Sequence, residues 1–355
     1  MLQRLTLRDF RNFSQLTFEP GPGARLLLGP NGAGKTTVLE AVYLLATTRS
    51  FRTAQLGDCC RHGAAGFHLG GDAGDTGRAH LEVGWARGGA RHRRLDGRES
   101  ALAEHLAVQP VLAWTAAESA LLAGPPAVRR RFLDRALIAW RPASFATLAR
   151  YGKALAAKRA LLAAGERLGL DAWNELLARE GAALAAGRSD LVEALRQELT
   201  PLIAEAGFAD FGLAVTYRPN PESALEGETA LHAALADATE CEIRRGLPLL
   251  GPHRDEIEIR MEEHEARRVA SAGERKALGL LLLAAQARLL ARRGRRPLLL
   301  LDDADTELDA ARLAAVWRPL AASEQILATS NRPEVWASLA LSGSYRVEAG
   351  TVIAG

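Results

Sequence analysis

An α/β fold carrying a second, helical lobe is what the sequence predicts, and three observations predict it. An apolar run, Ala24 to Leu28, precedes Gly29-Pro-Asn-Gly-Ala-Gly-Lys-Thr36, which matches G-x-x-x-x-G-K-[ST], and a helix-like run, Val38 to Leu45, follows. Near the other end, Leu298 to Leu301 is wholly apolar and closes on Asp302 and Asp303, as a buried parallel strand would. Between them, from about Pro125, the texture turns to Ala, Leu, Arg and Glu at helical spacing. Strand-rich first and last parts thus flank a helical block, and the two motif-bearing parts are expected to meet in one lobe.

Leu2 to Leu7 alternates apolar and polar residues and predicts a first strand, with Leu16 to Phe18 a short second. In the glycine-rich loop the backbone can curl until its N–H groups share one focus. The helix N-terminus adds positive dipole character, and together these suit a phosphate. Gly29, Pro30, Asn31, Gly32, Ala33 and Gly34 are therefore candidate nucleotide-binding positions. Lys35 would reach the β- and γ-phosphates, and Thr36, beside Thr37, would hold Mg²⁺. Lys35 is one of only four lysines among 45 basic residues, so it is not compositional background. His80 to Trp85 and Arg91 to Leu95, around Arg87-Gly-Gly89, read as a hairpin. Phe132, Ala136 and Ile138, then Leu176, Leu177, Leu184 and Leu191, mark helices punctuated by Pro142, Gly165 and Pro201. Strand signals return with Ile257 and Ile259, then Leu298 to Leu301, then Ile326 and Leu327. The expected division is a first lobe from 1–110 and 248–355 and a helical lobe from 111–247.

At 355 residues the chain exceeds the size at which single cores stop growing, which also favours two lobes. The longest apolar stretch, Ala277 to Leu290, is interrupted by Gln286 and Arg288, and the N-terminus MLQRLTLRDF is charged where a signal peptide needs an apolar segment. A cytoplasmic protein is expected. Cys59, Cys60 and Cys241 show no C-x-x-C spacing, so neither a disulfide framework nor a zinc site is indicated. Net charge is only +3, yet arginines cluster at Arg91, Arg93 and Arg94, at Arg129, Arg130 and Arg131, and at Arg292, Arg293, Arg295 and Arg296. Such runs suit nucleic-acid phosphates, and equally a solvated face in a chain that uses arginine almost everywhere. His62, His68 and His105 are read as surface or packing residues.

Asp302 fits the Walker B role, holding the Mg²⁺ water shell opposite Thr36, and Asp303 stands where a carboxylate can orient or deprotonate an attacking water. Upstream, Ser271-Ala-Gly-Glu274 opens a long apolar helix; alone, Ser271 is an N-cap. After Asp302 and Asp303 comes Thr306-Glu-Leu-Asp309. Serine-x-glycine before a helix, then a Walker B strand, then x-x-Leu-Asp is the order of ABC-type ATPases. In that architecture the serine–glycine turn completes the P-loop site of a second subunit, so that two ATP molecules are sandwiched and dimerisation depends on ATP. Ser271 and Gly273 would then act in trans on the partner's γ-phosphate, with Glu274 a further candidate nucleotide-binding residue, and Asp309 would sit at the dimer seam.

With these residues in place the chain resembles the RecF recombination mediators. Leu7-Arg-Asp-Phe-Arg-Asn-Phe13 is similar to the N-terminal motif that this family shares with Rad50 and SMC heads, where it lies near the nucleotide; Arg11 and Asn12 are carried over on that basis. The resemblance continues through Leu39 to Leu45, Arg49-Ser-Phe-Arg-Thr53, Gly124 to Asp134, Tyr151 with Leu155, Arg159, Leu161 and Leu162, and Gly251-Pro-His-Arg-Asp255. It covers essentially the whole chain. It implies an SMC/Rad50-head-like ATPase lobe with a helical second lobe and no long coiled coil. Thr36 and Ser271 are 235 positions apart, too few for such a coil, and no sustained heptad intervenes.

The resemblance further implies a protein of recombinational DNA repair and replication restart. ATP would close a dimer on double-stranded or gapped DNA. With RecO and RecR it would help load RecA onto single strands coated by single-strand-binding protein, supporting the SOS response. Its ATPase would be weak and DNA-stimulated, a timer for release. Arg91, Arg93, Arg94, Arg129, Arg130 and Arg131 are the candidate DNA contacts. Departures are visible: Glu274 stands where ABC proteins more often have glutamine, Ala272 where this family commonly has arginine, and Ala116-Ala-Glu-Ser119 replaces an acidic family run. Thr329-Ser-Asn331 follows Ile326-Leu-Ala328 where ABC transporters have a switch histidine, which argues against a transporter energy subunit. A small-molecule phosphotransferase leaves Ser271-Ala-Gly and Glu307-Leu-Asp309 unexplained.

Overall fold

The computed structural model describes residues 1–74, 79–208, 212–348 and 350–355. They fall into two compact units, one from residues 1–119, 198–208 and 271–355, the other from 120–197 and 209–270. In the first unit, β1 (Arg4–Phe10) and β2 (Phe13–Phe18) pair antiparallel, and β3 (Gly23–Leu28) runs through the glycine-rich loop into α1 (Lys35–Thr47). β4 (Gly66–Ala73), β5 (Ala79–Ala86), β6 (Arg91–Leu95) and β7 (Arg98–Glu99) complete an antiparallel sheet in the order β2-β1-β4-β5-β6-β7. Because side chains alternate across a strand, Leu5, Leu7, Leu69, Leu81 and Val83 share the inner face and pack with Val38, Leu39 and Val42 of α1 in one core. α2 (Leu102–Val108), β8 (Val111–Trp114) and α3 (Ala116–Ser119) end this segment.

The second unit contains α4 (Pro126–Trp140), α5 (Ser144–Ala164), α6 (Leu170–Glu205), β9 (Leu213–Arg218), α7 (Glu228–Arg245), β10 (Glu256–Met261), β11 (His264–Glu265) and α8 (Ala266–Val269). The last turns of α6, from Glu198, are counted with the first unit. The three strands form a separate antiparallel sheet in the order β11-β10-β9.

The polar interior of this unit is built from the family-like motifs. Asp255, fully buried, accepts hydrogen bonds from Arg188 Nη1 at 2.6 Å, from the Tyr217 hydroxyl, and from the Asn220 N–H at 2.9 Å. Arg188 also holds Asp134 at 2.6 Å and the Pro252 carbonyl at 2.7 Å. A second buried pair, Lys158 with Glu242 at 2.6 Å, ties α5 to α7.

His253 lies within 2.8 Å of the Tyr151 hydroxyl through Nδ1. Burial lowers its imidazole to about 4, the Pro248 carbonyl opposes that, and Arg159, Arg254 and Arg130 add to the lowering. In the unfolded chain the ring has its ordinary value near 6.5. Between those values the unfolded state therefore binds a proton that the folded state declines. Stability should be fully present above pH 6.5 and fall by up to about 3 kcal/mol as pH drops toward 4. Urea unfolding at pH 7 and pH 4.5 tests this. His253→Asn should show a smaller loss than the wild-type chain, and equal losses would sink the assignment.

The chain returns to the first unit with α9 (Ala272–Ala291), β12 (Leu298–Leu301), α10 (Ala310–Leu320), β13 (Gln325–Ser330), α11 (Pro333–Trp336), β14 (Gly343–Glu348) and β15 (Thr351–Ala354). These build the second sheet of that unit, ordered β15-β14-β3-β13-β12-β8, parallel throughout except for the β14–β15 pair. All four leucines of β12 are fully buried, as expected for a strand covered on both faces. β13 lies between β3 and β12. The loops leaving all three open at one edge of the sheet, where open parallel sheets place ligands.

The units depart from the expected division at three points, the first being the last turns of α6, residues 198–208, which fall in the first unit. Residues 111–119 belong to the first unit because β8 pairs in register with β12, Trp114 opposite Leu301. Residues 248–270 belong to the second because β10 pairs with β9, Ile257 opposite Tyr217. No helix among the described residues is long and apolar enough to cross a membrane.

Candidate nucleotide-binding site

The loop Gly29 to Thr36 curls around the ammonium of Lys35, which is nearly buried and donates to the carbonyls of Gly29 at 2.7 Å and Pro30 at 3.1 Å. Gly34 takes φ 111°, and a Cβ there would lie 2.7 Å from the Phe13 ring and 2.8 Å from the Asn12 amide nitrogen. Only glycine fits that turn. The close approach also explains why the Arg11-Asn-Phe13 motif matters: it walls the loop from outside, with Asn12 Nδ2 donating to the Ala33 carbonyl at 3.4 Å.

Asp302, at the end of β12, meets the loop directly. Its Oδ1 accepts from the Thr36 hydroxyl at 2.8 Å and from the Thr329 hydroxyl at 2.9 Å, and Thr329 in turn accepts from the Asp303 N–H at 2.9 Å. Burial raises the Asp302 carboxyl above the ordinary aspartate value; the two hydroxyls oppose this and Asp303 adds to it. A cleft of about 580 Å³ opens over these groups, lined by Asn31, Gly32, Lys35, Thr36, Thr37 and Asp303, with Arg11, Asn12, Arg52 and Cys60 along its side.

Arg11 is positioned by the fully buried Glu40 of α1, to which it donates at 2.9 and 2.6 Å, and by the Asp58 carbonyl at 2.6 Å. Arg52 and Ser50 reach the same carboxylate at 3.3 and 2.5 Å. One buried acid thus organises two cleft-lining arginines. Burial and Glu40 push the neighbouring Cys59 thiol up to about 12, which leaves it inert.

Ser271, Gly273, Glu274 and Asp309 are not among the cleft-lining residues and form a cluster of their own. Ser271 caps α9 in a capping box: its hydroxyl accepts from the Glu274 N–H at 3.3 Å, and the Glu274 carboxylate accepts from the Ser271 N–H at 2.8 Å. Asp309 caps α10 by accepting from the Arg312 N–H at 2.7 Å, and the Arg312 side chain stands 4.0 Å from Glu274. Gly273 packs so tightly that a Cβ would lie 2.9 Å from both the Glu307 carbonyl and Arg312 Nη1.

A family model described as an AAA domain matches residues 4–74. A protein of Acidothermus cellulolyticus named "DNA replication and repair protein RecF" is 36% identical over 349 residues, covering 93% of each chain. The chain belongs to the RecF family. A RecF of an Anaeromyxobacter species is likewise 36% identical, over 99% of this chain and 98% of that one. Among solved structures, the recombination mediator protein RecF-ATPrS in the RecFOR pathway superposes with a TM-score of 0.88 at 22% identity, covering all of this chain and 98% of the other. An SMC head bound to the C-winged helix domain of ScpA superposes at 0.59 with 14% identity. The fold of this RecF-family chain is therefore the ABC-type α/β head, with no long coiled coil among the described residues.

The arginine expectations need correction. Arg129 is buried and clamps Glu256 of β10 with two hydrogen bonds of 2.6 and 2.7 Å, so it is a structural ion pair and not a DNA contact. Arg130, half-buried, donates to the Asp255 carbonyl at 3.0 Å and is likewise committed to the fold. Arg131, Arg91 and Arg94 are exposed, while Arg93 holds the Ser100 carbonyl at 3.0 and 2.6 Å. In the third run, Arg292 pairs with Glu198 at 2.6 Å and Arg296 with Glu324.

Sequence reasoning missed Arg52, Glu40 and Thr329 as parts of the site. A lone acid within the apolar run Leu39 to Leu45 was the available signal for Glu40. Asn331, where a switch histidine was sought, donates to Asn31 of the loop at 3.2 Å.

Proposed function

We propose that this chain binds ATP–Mg²⁺ in the cleft and uses the bound nucleotide to gate its attachment to DNA. The observation that carries this is the 2.8 Å contact between Thr36, which lines the cleft, and Asp302, 266 positions away in the sequence. The residue types suit a triphosphate: a glycine-rich loop, the Lys35 ammonium and the Arg11 and Arg52 guanidiniums for the phosphates, with the Thr36 hydroxyl and the Asp302 carboxylate for the metal. When bound, Mg²⁺ would neutralise the phosphate charge. Gly29 to Thr37 cradle the phosphates, Thr36 and Asp302 hold the metal, and Asp303 orients a water.

Ser271, Gly273 and Glu274 complete the site of a second copy, with Asp309 at the seam, and their separation from the cleft lining supports that reading. The chain's activity is then a weak, DNA-stimulated ATPase acting as a timer. Its partners are double-stranded or gapped DNA in the cytoplasm, with RecO and RecR at the loading of RecA in the SOS response. The family, together with relatives named for DNA replication and repair, supports this role. Arg91, Arg94 and Arg131 are the DNA contacts that remain.

Fluorescence anisotropy of a labelled gapped duplex tests the proposal. The wild-type chain should bind with ATP–Mg²⁺ and at least about tenfold more weakly without it, and Lys35→Ala should bind weakly in both conditions. Binding indifferent to ATP would overturn the gated-clamp reading.

A further inference from the structure

We infer that Lys276 is a positioning residue that couples the serine–glycine turn at the start of α9 to the orientation of the Asp303 carboxylate. The inference rests on the nucleotide reading above and concerns a residue to which nothing so far gives a role.

An ammonium taken out of water must be compensated by hydrogen bonds. Lys276 is 5% exposed, and it donates to the Asp303 carbonyl at 2.8 Å and to the Thr306 hydroxyl. Thr306 donates back to the same Asp303 carbonyl at 2.8 Å through its side chain. Both partners lie in the turn that follows β12. Burial lowers the lysine's proton affinity, and Glu307, Asp305, Asp303 and Asp302 oppose that from around it. The charge is thus held beside the acidic turn without being spent on a single carboxylate.

The turn itself is strained. Asp303 has φ 46° and Glu307 φ 65°, a region that non-glycine residues occupy only where the surroundings over-determine them. Asp303 is held from two sides. Thr329, which also touches Asp302, accepts from its N–H, and Lys276 takes its carbonyl. Thr329 reports the metal-side carboxylate. Lys276 reports α9, because it lies three residues beyond Gly273 in the same first turns of that helix.

The backbone at Gly273 passes so close to the Glu307 carbonyl that a Cβ there would lie 2.9 Å from it, so the serine–glycine turn abuts the far end of the same strained turn, and Glu274 stands 4.0 Å from Arg312. A phosphate of a second copy that engaged Ser271 and Gly273 would shift the start of α9. Lys276 would pass that shift to the peptide carrying Asp303. Its role is to set the carboxylate, not to touch the nucleotide.

The test compares wild type, Lys276→Met and Lys276→Arg for ATP affinity, for kcat and KM of ATP hydrolysis, and for thermal unfolding. Lys276→Met should keep ATP affinity and KM within about threefold while kcat falls at least about tenfold, and Lys276→Arg should recover most of that loss. Unchanged kcat in Lys276→Met overturns the inference. So does a parallel fall of kcat, ATP affinity and melting temperature that arginine does not restore, which marks a packing role only. All turnover is measured with duplex DNA present; absence of ATP binding by the wild-type chain overturns the nucleotide reading and this inference with it, whereas ATP binding without any DNA-stimulated turnover overturns this inference alone.

Discussion

Asp302→Asn should fold normally and lose about 10²–10³-fold in ATP turnover. The asymmetry follows from what Oδ1 does. It accepts two hydroxyls, from Thr36 and Thr329, and an amide oxygen can accept both in the same place. What the amide lacks is the negative charge that a divalent cation requires. Turnover measured against Mg²⁺ concentration should show a higher requirement and a lower plateau, with thermal unfolding unmoved. Unchanged turnover would remove Asp302 from the metal site.

The largest expected loss of stability comes from the second unit. Asp255→Ala should cost about 3–5 kcal/mol, because removing one partner of a buried ion pair strands the other. Arg188 is 3% exposed on its side chain and would keep Asp134 and the Pro252 carbonyl, but the short bond to Asp255 and the Tyr217 hydroxyl's acceptor would go. The Asn220 N–H would lose its acceptor as well. Asp255→Asn should cost less, since its oxygen can still serve one donor. Denaturant titrations of the three proteins would check the order, and an alanine variant within 1 kcal/mol of wild type, on the order of a surface substitution, would contradict it.

Features set by nearby residues were legible in the sequence. The loop between β3 and α1 announces itself because a phosphate-binding turn needs glycines at fixed spacing. The β5–β6 hairpin shows through its Gly-Gly, and β12 through four leucines and two acids. What stayed hidden depends on partners far along the chain. β8 is four residues long and is defined by pairing with β12, nearly two hundred positions later, so the first unit runs on to residue 119 and past the expected boundary at 110. β4 contains Gly70 and Gly71, which blur its alternation. Arg129 read as one of a basic run because Glu256, its partner, is 127 residues away. At the site, residue types that bind phosphate were recognisable singly. Glu40, Thr329 and Lys276 act by orienting those residues, and orientation has no signature in one dimension.

The parallel sheet has a further consequence, in time rather than space. β3 is flanked by β13 and β14, with Leu26 opposite both Ala328 and Ser344. A ribosome adding about 5–20 residues per second delivers those neighbours roughly 15–60 s after the phosphate loop has emerged. The antiparallel sheet of residues 4–99 and the second unit can form meanwhile, since their strands pair among themselves. The strand that carries the glycine-rich loop spends that interval with both edges open. A nascent chain stalled before residue 325 would therefore present an apolar strand to chaperones, and the nucleotide site would be among the last features of the molecule to exist.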